Sequence, residues 1–194
     1  MQSCLQAESQ SIFQHGVSVQ EHYFELLLML KENTVLPGWR LPDWFLQYRE
    51  QILKSLMSED IIKEYTVYHD CGKPYCLTID EQGKRHFPDH AEKSYQTWLN
   101  VGGNLQAAQL MKLDMLIHKM KAADIEEFIK LPEAITLLLA GLAEVHSNSK
   151  MFGGIESESF KIKWSQINKR GKTICQKMFG VRSEEHTSEL QSQR

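Results

Sequence analysis

The chain has 194 residues, of which 42% are hydrophobic and 24% charged, as is typical of a globular domain with its own core. Its formal charge of −3 argues against bulk electrostatic capture of nucleic acid. The longest apolar runs, LLLML and ITLLLAGLA, are far too short to cross a bilayer, and the polar start MQSCLQAESQ does not resemble a signal peptide. Four cysteines without CxxC spacing give no indication of a zinc knuckle or a redox pair. We therefore expect a reduced, cytoplasmic protein that does not enter the membrane.

The end of the chain differs from the rest. Residues 182–192 read RSEEHTSELQS, which is similar to the translation of a common sequencing adapter. We therefore expect residues 1–181 to form the domain and residues 182–194 to be a non-native tail. On this interpretation His186 is not a candidate ligand.

The first half of the chain is predicted to be helical. Ser18 and Glu21 have the spacing of a capping box, which predicts a helix running to about Asn33. After the turn LPGWRLP, Pro42 is suited to open a second helix through DWFLQYREQILKSLM. Ser58 is expected to cap a third helix, EDIIKEYTVYHD, which the following Gly-Lys-Pro sequence ends.

The second half is predicted to be mainly helical as well. The segment CLTIDEQGKRHFP alternates weakly and is expected to be a loop or a short hairpin. Asp89 and Glu92 again have capping-box spacing, which predicts a helix from about His90. Further helices are expected from Leu105 to about Met120, in a shorter stretch after it, and in PEAITLLLAGLAEVHSNSKMF. The segment SESFKIKWSQINKRGKTICQKMFG is expected to be a strand followed by a helix. Together the patterns predict a single compact all-α domain of about six or seven helices with irregular loops.

A histidine, an aspartate and a lysine come together in HDCGKP, residues 69–74, at the predicted end of the third helix. Metal chemistry on phosphate esters needs imidazole and carboxylate ligands with coordination positions left open. Neighbouring side chains on a regular helix point about 100° apart, so His69 and Asp70 can share one ion only where the backbone departs from that helix. A turn through Gly72 permits this, and it places Lys73 where its charge can meet a phosphate.

This stretch is similar to the signature of the HD superfamily of metal-dependent phosphohydrolases, which combines a distant histidine, an adjacent His-Asp pair and a distal aspartate. The resemblance covers roughly residues 15–150 and includes an upstream helical histidine and the downstream sequence HAEKS. It implies an HD-type helical domain that removes phosphate from a nucleotide or a nucleic-acid end, including a 3′-phosphate, by means of a metal-activated water.

The resemblance also implies a ligand set. His69 and Asp70 match the central pair, and the upstream ligand is expected to be His22, with His15 as the alternative. The implied cofactor is one or two divalent ions, Mn²⁺, Mg²⁺, Ni²⁺, Co²⁺ or Fe²⁺. Four protein ligands would leave about two of six octahedral positions for water and a phosphate oxygen.

The distal carboxylate is the point at which this sequence departs from the family pattern. It is expected to be Asp114, which has His118 one helical turn later on the same face. Glu144, in LAEVHSN, and Asp124, in KAAD, are the alternatives. His118, Glu144 and His146 are further candidates, either as additional ligands or as side chains that hold the ligands in place.

The expected catalytic residues are Asp70, Lys73 and His90. Asp70 or a second carboxylate would take a proton from water, and Lys73 with His90 would stabilise charge on the phosphate.

A basic segment, FKIKWSQINKRGK, adds candidates for phosphate or nucleic-acid binding: Lys161, Lys163, Lys169 and Arg170. The interleaved Phe160 and Trp164 could stack on a base. The alternative is a solvated amphipathic edge whose apolar residues pack inward. For the whole chain, the alternative to an enzyme is a non-catalytic helical module with an HD-like fold that binds a nucleotide or nucleic acid.

Overall fold

The computed structural model describes residues 1–5 and 10–180. The expected non-native tail, residues 182–194, lies outside the described residues. Helices dominate, which confirms the predicted all-α class. Within the described ranges, no helix combines the length and the apolar character needed to span a membrane.

The regular elements follow one another as ten α-helices, counted over the described residues, with a two-stranded hairpin between the fourth and the fifth. The helices are α1 (Ile12–Glu32), α2 (Asp43–Gln47), α3 (Arg49–Lys54), α4 (Glu59–Tyr68), α5 (His90–Asn100), α6 (Leu105–Leu113), α7 (Leu116–Lys119), α8 (Ile125–Phe128), α9 (Ala134–Ser147) and α10 (Glu158–Phe179). Short 3₁₀ turns occupy Lys73–Tyr75, Ala122–Asp124 and Ser149–Phe152. The strands β1 (Thr78–Ile79) and β2 (Arg85–His86) pair antiparallel, with Thr78 opposite His86.

The first helix begins earlier than predicted. Its N-cap is Ser11, whose Oγ accepts a hydrogen bond from the Gln14 N–H at 3.1 Å, while Gln14 Oε1 accepts one from the Ser11 N–H at 2.9 Å. This is a complete capping box with glutamine in place of glutamate. The box expected at Ser18 is wrong, because Ser18 lies inside the helix. The consequence for the site is that His15 belongs to α1.

Four other local predictions need correction. The expected strand in the last segment is wrong, since residues 158–179 form one helix whose Ser157 Oγ accepts from the Phe160 N–H at 3.2 Å. The pair Asp89 and Glu92 forms no capping box; Asp89 instead adopts a left-handed conformation with φ 51°.

The predicted second helix is interrupted at Tyr48, and the long helix expected from Leu105 is interrupted after Leu113. The segment expected to be a loop or a short hairpin contains the hairpin of β1 and β2.

Helix α9 forms the centre of the fold. Nearly all of its residues are buried, and α1, α7 and α10 pack around it. Helix α1 also packs against α4, and α4 and α5 both pack against α6. The buried apolar side chains of these helices form one cluster. The junction of α1, α4 and α9 is where the polar residues of the candidate site are buried.

Candidate metal centre

The His-Asp pair lies where α4 tightens and ends. After Tyr68, backbone hydrogen bonds join residues three apart instead of four apart. The Cys71 N–H donates to the Tyr68 carbonyl at 2.9 Å, and the Lys73 N–H donates to the Asp70 carbonyl at 3.0 Å. This is the departure from a regular helix that two adjacent ligands require. The ring of His69 is fixed by Nδ1, which lies 2.8 Å from the carbonyl oxygen of Thr66. Its Nε2 lies 3.3 Å from Asp70 Oδ2.

His15 is the third member of this cluster. Its Nε2 lies 4.0 Å from Asp70 Oδ2. One donor atom from each of His15, His69 and Asp70 can be chosen so that all three lie within 4.8 Å of one another, and all three residues are buried. Gly16 permits this approach, because a Cβ atom at Gly16 would lie only 2.0 Å from the Val67 carbonyl oxygen of α4. Helix α1 therefore rests on the backbone of α4 beside the site.

The donor atoms of this cluster fit a divalent metal ion. Both ring nitrogens of His15 and Nε2 of His69 are buried and have no hydrogen-bond partner among the described residues. Buried polar groups are nearly always paired, because an unpaired one costs roughly 1–3 kcal/mol. Two imidazoles and one carboxylate form the ligand set found in sites with open coordination positions, and imidazole suits transition metals. A bound ion would therefore give one orphan nitrogen of each imidazole a partner, since each residue offers one ligand atom.

The charges within the cluster depend on one another. Burial opposes ionisation of Asp70, but the neighbouring charges of His69 and Lys73 hold the pKa of Asp70 well below its usual range. Burial lowers the pKa of His69, but the carboxylate of Asp70 outweighs it and raises the pKa of His69 to about 10. Burial, together with the charge of His69, lowers the pKa of His15 to about 4. The lone pair of a neutral His15 is thus available to a ligand, whereas an ion would have to displace the Nε2 proton of His69.

Lys73 and His90, both predicted as catalytic residues, lie at the same carboxylate. The ammonium of Lys73 donates to Asp70 Oδ2 at 2.5 Å, and His90 Nε2 lies 3.7 Å from Asp70 Oδ1. Gly72 allows α5 to come this close, because a Cβ atom there would lie 2.3 Å from the Ser94 nitrogen. The Gly72 N–H also donates to Ser94 Oγ at 3.0 Å. The structure therefore brings Asp70, Lys73 and His90 together as expected.

The two main candidates for the distal carboxylate have different surroundings. Asp114 accepts a hydrogen bond from the Tyr65 hydroxyl at 2.5 Å, and burial raises the pKa of Asp114. In the part of the chain that the structure describes, no histidine or lysine lies within 4.0 Å of its carboxylate. Glu144 lies between two histidines: its Oε1 is 3.9 Å from His15 Nε2, and its Oε2 is 2.8 Å from His118 Nε2. Burial opposes its charge, but the pairing with His118 lowers the pKa of Glu144. Glu144 is thus the carboxylate that lies against His15.

Three predicted candidates lie elsewhere. The structure does not bring His22 to the cluster: its ring is 5.6 Å from that of Trp39, which stacks on His146 at 4.1 Å. In both histidines Nδ1 lies within hydrogen-bond distance of the carbonyl four residues earlier, and His146 Nε2 accepts from the Arg40 N–H at 3.2 Å. Asp124 is exposed, and its Oδ2 accepts from a backbone N–H three residues earlier. His15 therefore takes the place expected for His22.

The basic residues of α10 do not form one patch. At about 100° per residue, Lys163 and Arg170 lie on one side of the helix, Lys161 lies on the opposite side, and Lys169 lies between them. Lys161 pairs with two nearby glutamates at 3.6 and 3.7 Å. The Arg170 Nε donates to a backbone carbonyl after α7 at 3.2 Å. A continuous track for a nucleic-acid backbone is therefore not formed by these four side chains.

Comparison with protein-family models, curated proteins and solved structures finds no match to this chain. The site is consequently defined by its own geometry. Two sequence signals pointed to His15 rather than His22: a serine with glutamine three residues later, at Ser11 and Gln14, and the glycine directly after His15. The first places His15 on α1, and the second gives α1 a small residue where it meets α4.

Proposed function

We propose that this chain is a metal-dependent phosphohydrolase of the HD type that removes phosphate from a nucleotide or a nucleic-acid end. The observation that carries the proposal is the convergence of His15, His69 and Asp70, in which both ring nitrogens of His15 and Nε2 of His69 are buried without a hydrogen-bond partner among the described residues. In this proposal the three side chains hold a divalent ion such as Mn²⁺, Mg²⁺, Ni²⁺, Co²⁺ or Fe²⁺. When bound, such an ion lowers the pKa of water and polarises a phosphoryl oxygen.

The other charged residues have distinct roles in this proposal. Lys73 and His90 lie at the two oxygens of Asp70, where the ammonium of Lys73 and the imidazole of His90 stabilise the phosphate as negative charge develops on it. Both oxygens of Asp70 are thus engaged. Of the two other candidate carboxylates, Glu144 lies against His15 and would accept a proton from the attacking water, whereas Asp114 is held by Tyr65. The contact with His118 holds Glu144 in place.

The test is metal-dependent release of phosphate. Mononucleotides, deoxynucleoside triphosphates, cyclic nucleotides and a 3′-phosphorylated oligonucleotide would each be incubated with Mn²⁺, Mg²⁺, Ni²⁺ or Co²⁺. We expect turnover by the wild-type protein and none by Asp70→Ala. The matched control is Asp80→Ala, which removes an exposed Asp–His pair of 2.7 Å on the hairpin, outside the cluster. Equal turnover by wild-type and Asp70→Ala proteins, or none by the wild type with any metal, would reject the proposal.

One observation favours a second candidate, a non-catalytic helical module that binds a nucleotide or nucleic acid. Lys73 lies 2.5 Å from Asp70 Oδ2, so the buried carboxylate has a counter-charge without any ion. Metal content distinguishes the two proposals. Purified protein that retains no stoichiometric divalent ion, even after incubation with Mn²⁺ and gel filtration, would favour the binding module.

A further inference from the structure

A cavity of about 290 Å³ lies between α10 and the segment that follows α7. Lys169 and Arg170 line it from α10, and Lys121 and Ile125 line it from the other segment. Asp124, which directly precedes Ile125, lines a different cavity. Three cationic side chains therefore meet around this space, and no carboxylate of the described residues lines it.

The three cations have no counter-charge within the part of the chain that the structure describes. None of Lys121, Lys169 and Arg170 forms an ion pair there. By contrast, Lys177, two turns further along α10, pairs with Glu126 at 2.5 Å. Like charges around one cavity repel one another, and a bound anion removes that cost. The charge distribution therefore favours an anionic ligand.

Arg170 is held in place at this cavity and keeps one donor accessible. Its Nε donates to the Met120 carbonyl at 3.2 Å, which fixes the planar guanidinium group. Nη1 is buried without a partner among the described residues and lies out of the reach of a ligand. Nη2 has no partner among these residues either, but it is not buried. Nη2 is thus the atom that can donate to a ligand oxygen.

We propose that this cavity binds an oligophosphate, either free or as the phosphate chain of a nucleotide, with Lys121, Lys169 and Arg170 contacting its oxygens. Phosphate oxygens accept strong, charge-assisted hydrogen bonds from ammonium and guanidinium groups. Three cations match the several negative charges of an oligophosphate better than those of a single phosphate.

The size of the cavity limits what it encloses. Sites that enclose a whole drug-sized ligand measure roughly 300–1,000 Å³. At about 290 Å³, this cavity holds a phosphate chain and leaves a nucleoside outside. None of the residues of the candidate metal centre lines it. The inference therefore goes beyond the proposed function and needs neither a metal ion nor turnover.

The first test measures binding to metal-free protein, prepared with EDTA that is then removed by dialysis. Inorganic phosphate, tripolyphosphate, adenosine 5′-triphosphate and citrate would each be titrated by calorimetry at low salt. We expect one tripolyphosphate per chain, bound about tenfold or more tightly than phosphate or citrate, because three cations act on one phosphate chain. Equal affinity for adenosine 5′-triphosphate would identify the phosphate chain of a nucleotide as a ligand, and binding of tripolyphosphate alone would identify a free oligophosphate.

The second test removes single charges at exposed positions, where the fold does not depend on them. Lys121→Met and Lys169→Met should each weaken tripolyphosphate binding by about two- to fivefold, as expected for an exposed ion pair, and the double variant by about tenfold. The matched control is Lys172→Met. Lys172 is exposed on the side of α10 opposite Arg170 and has no ion pair among the described residues, so its loss should leave the affinity unchanged.

Three results would overturn this site. The first is an equal loss of affinity in Lys172→Met and Lys169→Met, which would reveal only a general effect of charge. The second is tripolyphosphate binding that survives in the double variant, which would place the anion elsewhere, such as at the candidate metal centre. The third is citrate binding as tight as that of tripolyphosphate.

These measurements also keep the two proposals apart. Tripolyphosphate binding that depends on Lys121 and Lys169, in a protein without turnover by any metal form, would reject the hydrolase and keep the oligophosphate site. An active hydrolase that binds no tripolyphosphate in its metal-free form would keep the hydrolase and reject this site.

Discussion

Gly16 of α1 lies directly against Val67 of α4, since a Cβ atom added to Gly16 would stand 2.0 Å from the Val67 carbonyl oxygen. The two helices therefore meet backbone to backbone, next to the candidate ligands. His15 precedes the glycine and His69 follows the valine by two residues. As a result, the imidazole rings of His15 and His69 lie 5.3 Å apart.

This contact predicts that Gly16→Ala destabilises the protein. Alanine stabilises a helix relative to glycine by about 1 kcal/mol. Overpacking typically destabilises the folded state by about 1–3 kcal/mol, and here the neighbour is a backbone carbonyl, which cannot rotate away as a side chain can. We expect a net decrease in the free energy of unfolding, measured in urea. The control is Gly141→Ala in α9, whose Cβ would meet the side chain of Ile117 at 2.9 Å and should cost less. A more stable Gly16→Ala protein would contradict the close contact.

The second prediction concerns the identity of the upstream ligand. His15→Gln removes an imidazole whose nitrogens have no partner among the described residues, and it should weaken Mn²⁺ or Co²⁺ binding by more than the roughly 10–100-fold typical of outer-shell changes. His22→Gln changes a histidine outside the cluster and should leave the affinity within a few-fold of the wild type. Isothermal titration of each apoprotein measures both. Metal loss in His22→Gln but not in His15→Gln would restore the sequence-based assignment.

The sequence alone predicts the local backbone geometry around His69 and Asp70 well. The His-Asp-x-Gly-Lys stretch indicates a helix end, and the structure has α4 ending at Tyr68 with a 3₁₀ turn at Lys73. These features are local: they depend on hydrogen bonds between residues three or four apart. The all-α class follows in the same way from apolar periodicity.

The partners of that pair are harder to predict, because they depend on packing between distant segments. Whether His15 or His22 meets His69 is decided by the position along α1 at which it contacts α4, and that contact falls at Gly16. Likewise, Asp114 and Glu144 are both buried carboxylates on or next to helices, and only the fold places Tyr65 against the first and His118 against the second. Local patterns carry no information on these contacts.

The third prediction separates these two carboxylates. Glu144→Gln removes the proposed proton acceptor, so kcat should fall by about 10²–10⁴-fold while the metal content stays stoichiometric. Asp114→Asn keeps the shape of a side chain that accepts a hydrogen bond from the Tyr65 hydroxyl. The kcat of this variant should stay within about tenfold of the wild-type value. Metal analysis and single-turnover assays on both proteins measure these effects. If Glu144→Gln loses the metal itself, Glu144 is a fourth ligand and not the base.

The fourth prediction concerns stability and the metal. A ligand that binds only the folded state stabilises it by RT ln(1 + [L]/Kd), which is about 2.7 kcal/mol at 100 times Kd. Because the proposed ligands come from α1 and from the end of α4, Mn²⁺ should raise the melting temperature, and EDTA should reverse the rise. The Asp70→Ala protein should show no such shift, whereas the hairpin variant Asp80→Ala should show all of it. A shift of equal size in Asp70→Ala would place the ion elsewhere on the chain.

The last prediction concerns the size of the substrate. The observed affinity for nucleic acid falls with salt in proportion to the number of phosphates that the protein neutralises, with a slope of about −0.7 per phosphate for single strands. Since Lys161 is paired with glutamates and Arg170 donates to a backbone carbonyl, α10 offers few free cations on one side. We therefore expect a 3′-phosphorylated oligonucleotide to bind with a slope no steeper than about −1.5. Lys163→Met should flatten the slope and Lys161→Met should not. A slope of about −3 or steeper would mean that the basic residues act together on a longer strand, and would favour a polynucleotide over a small nucleotide as the substrate.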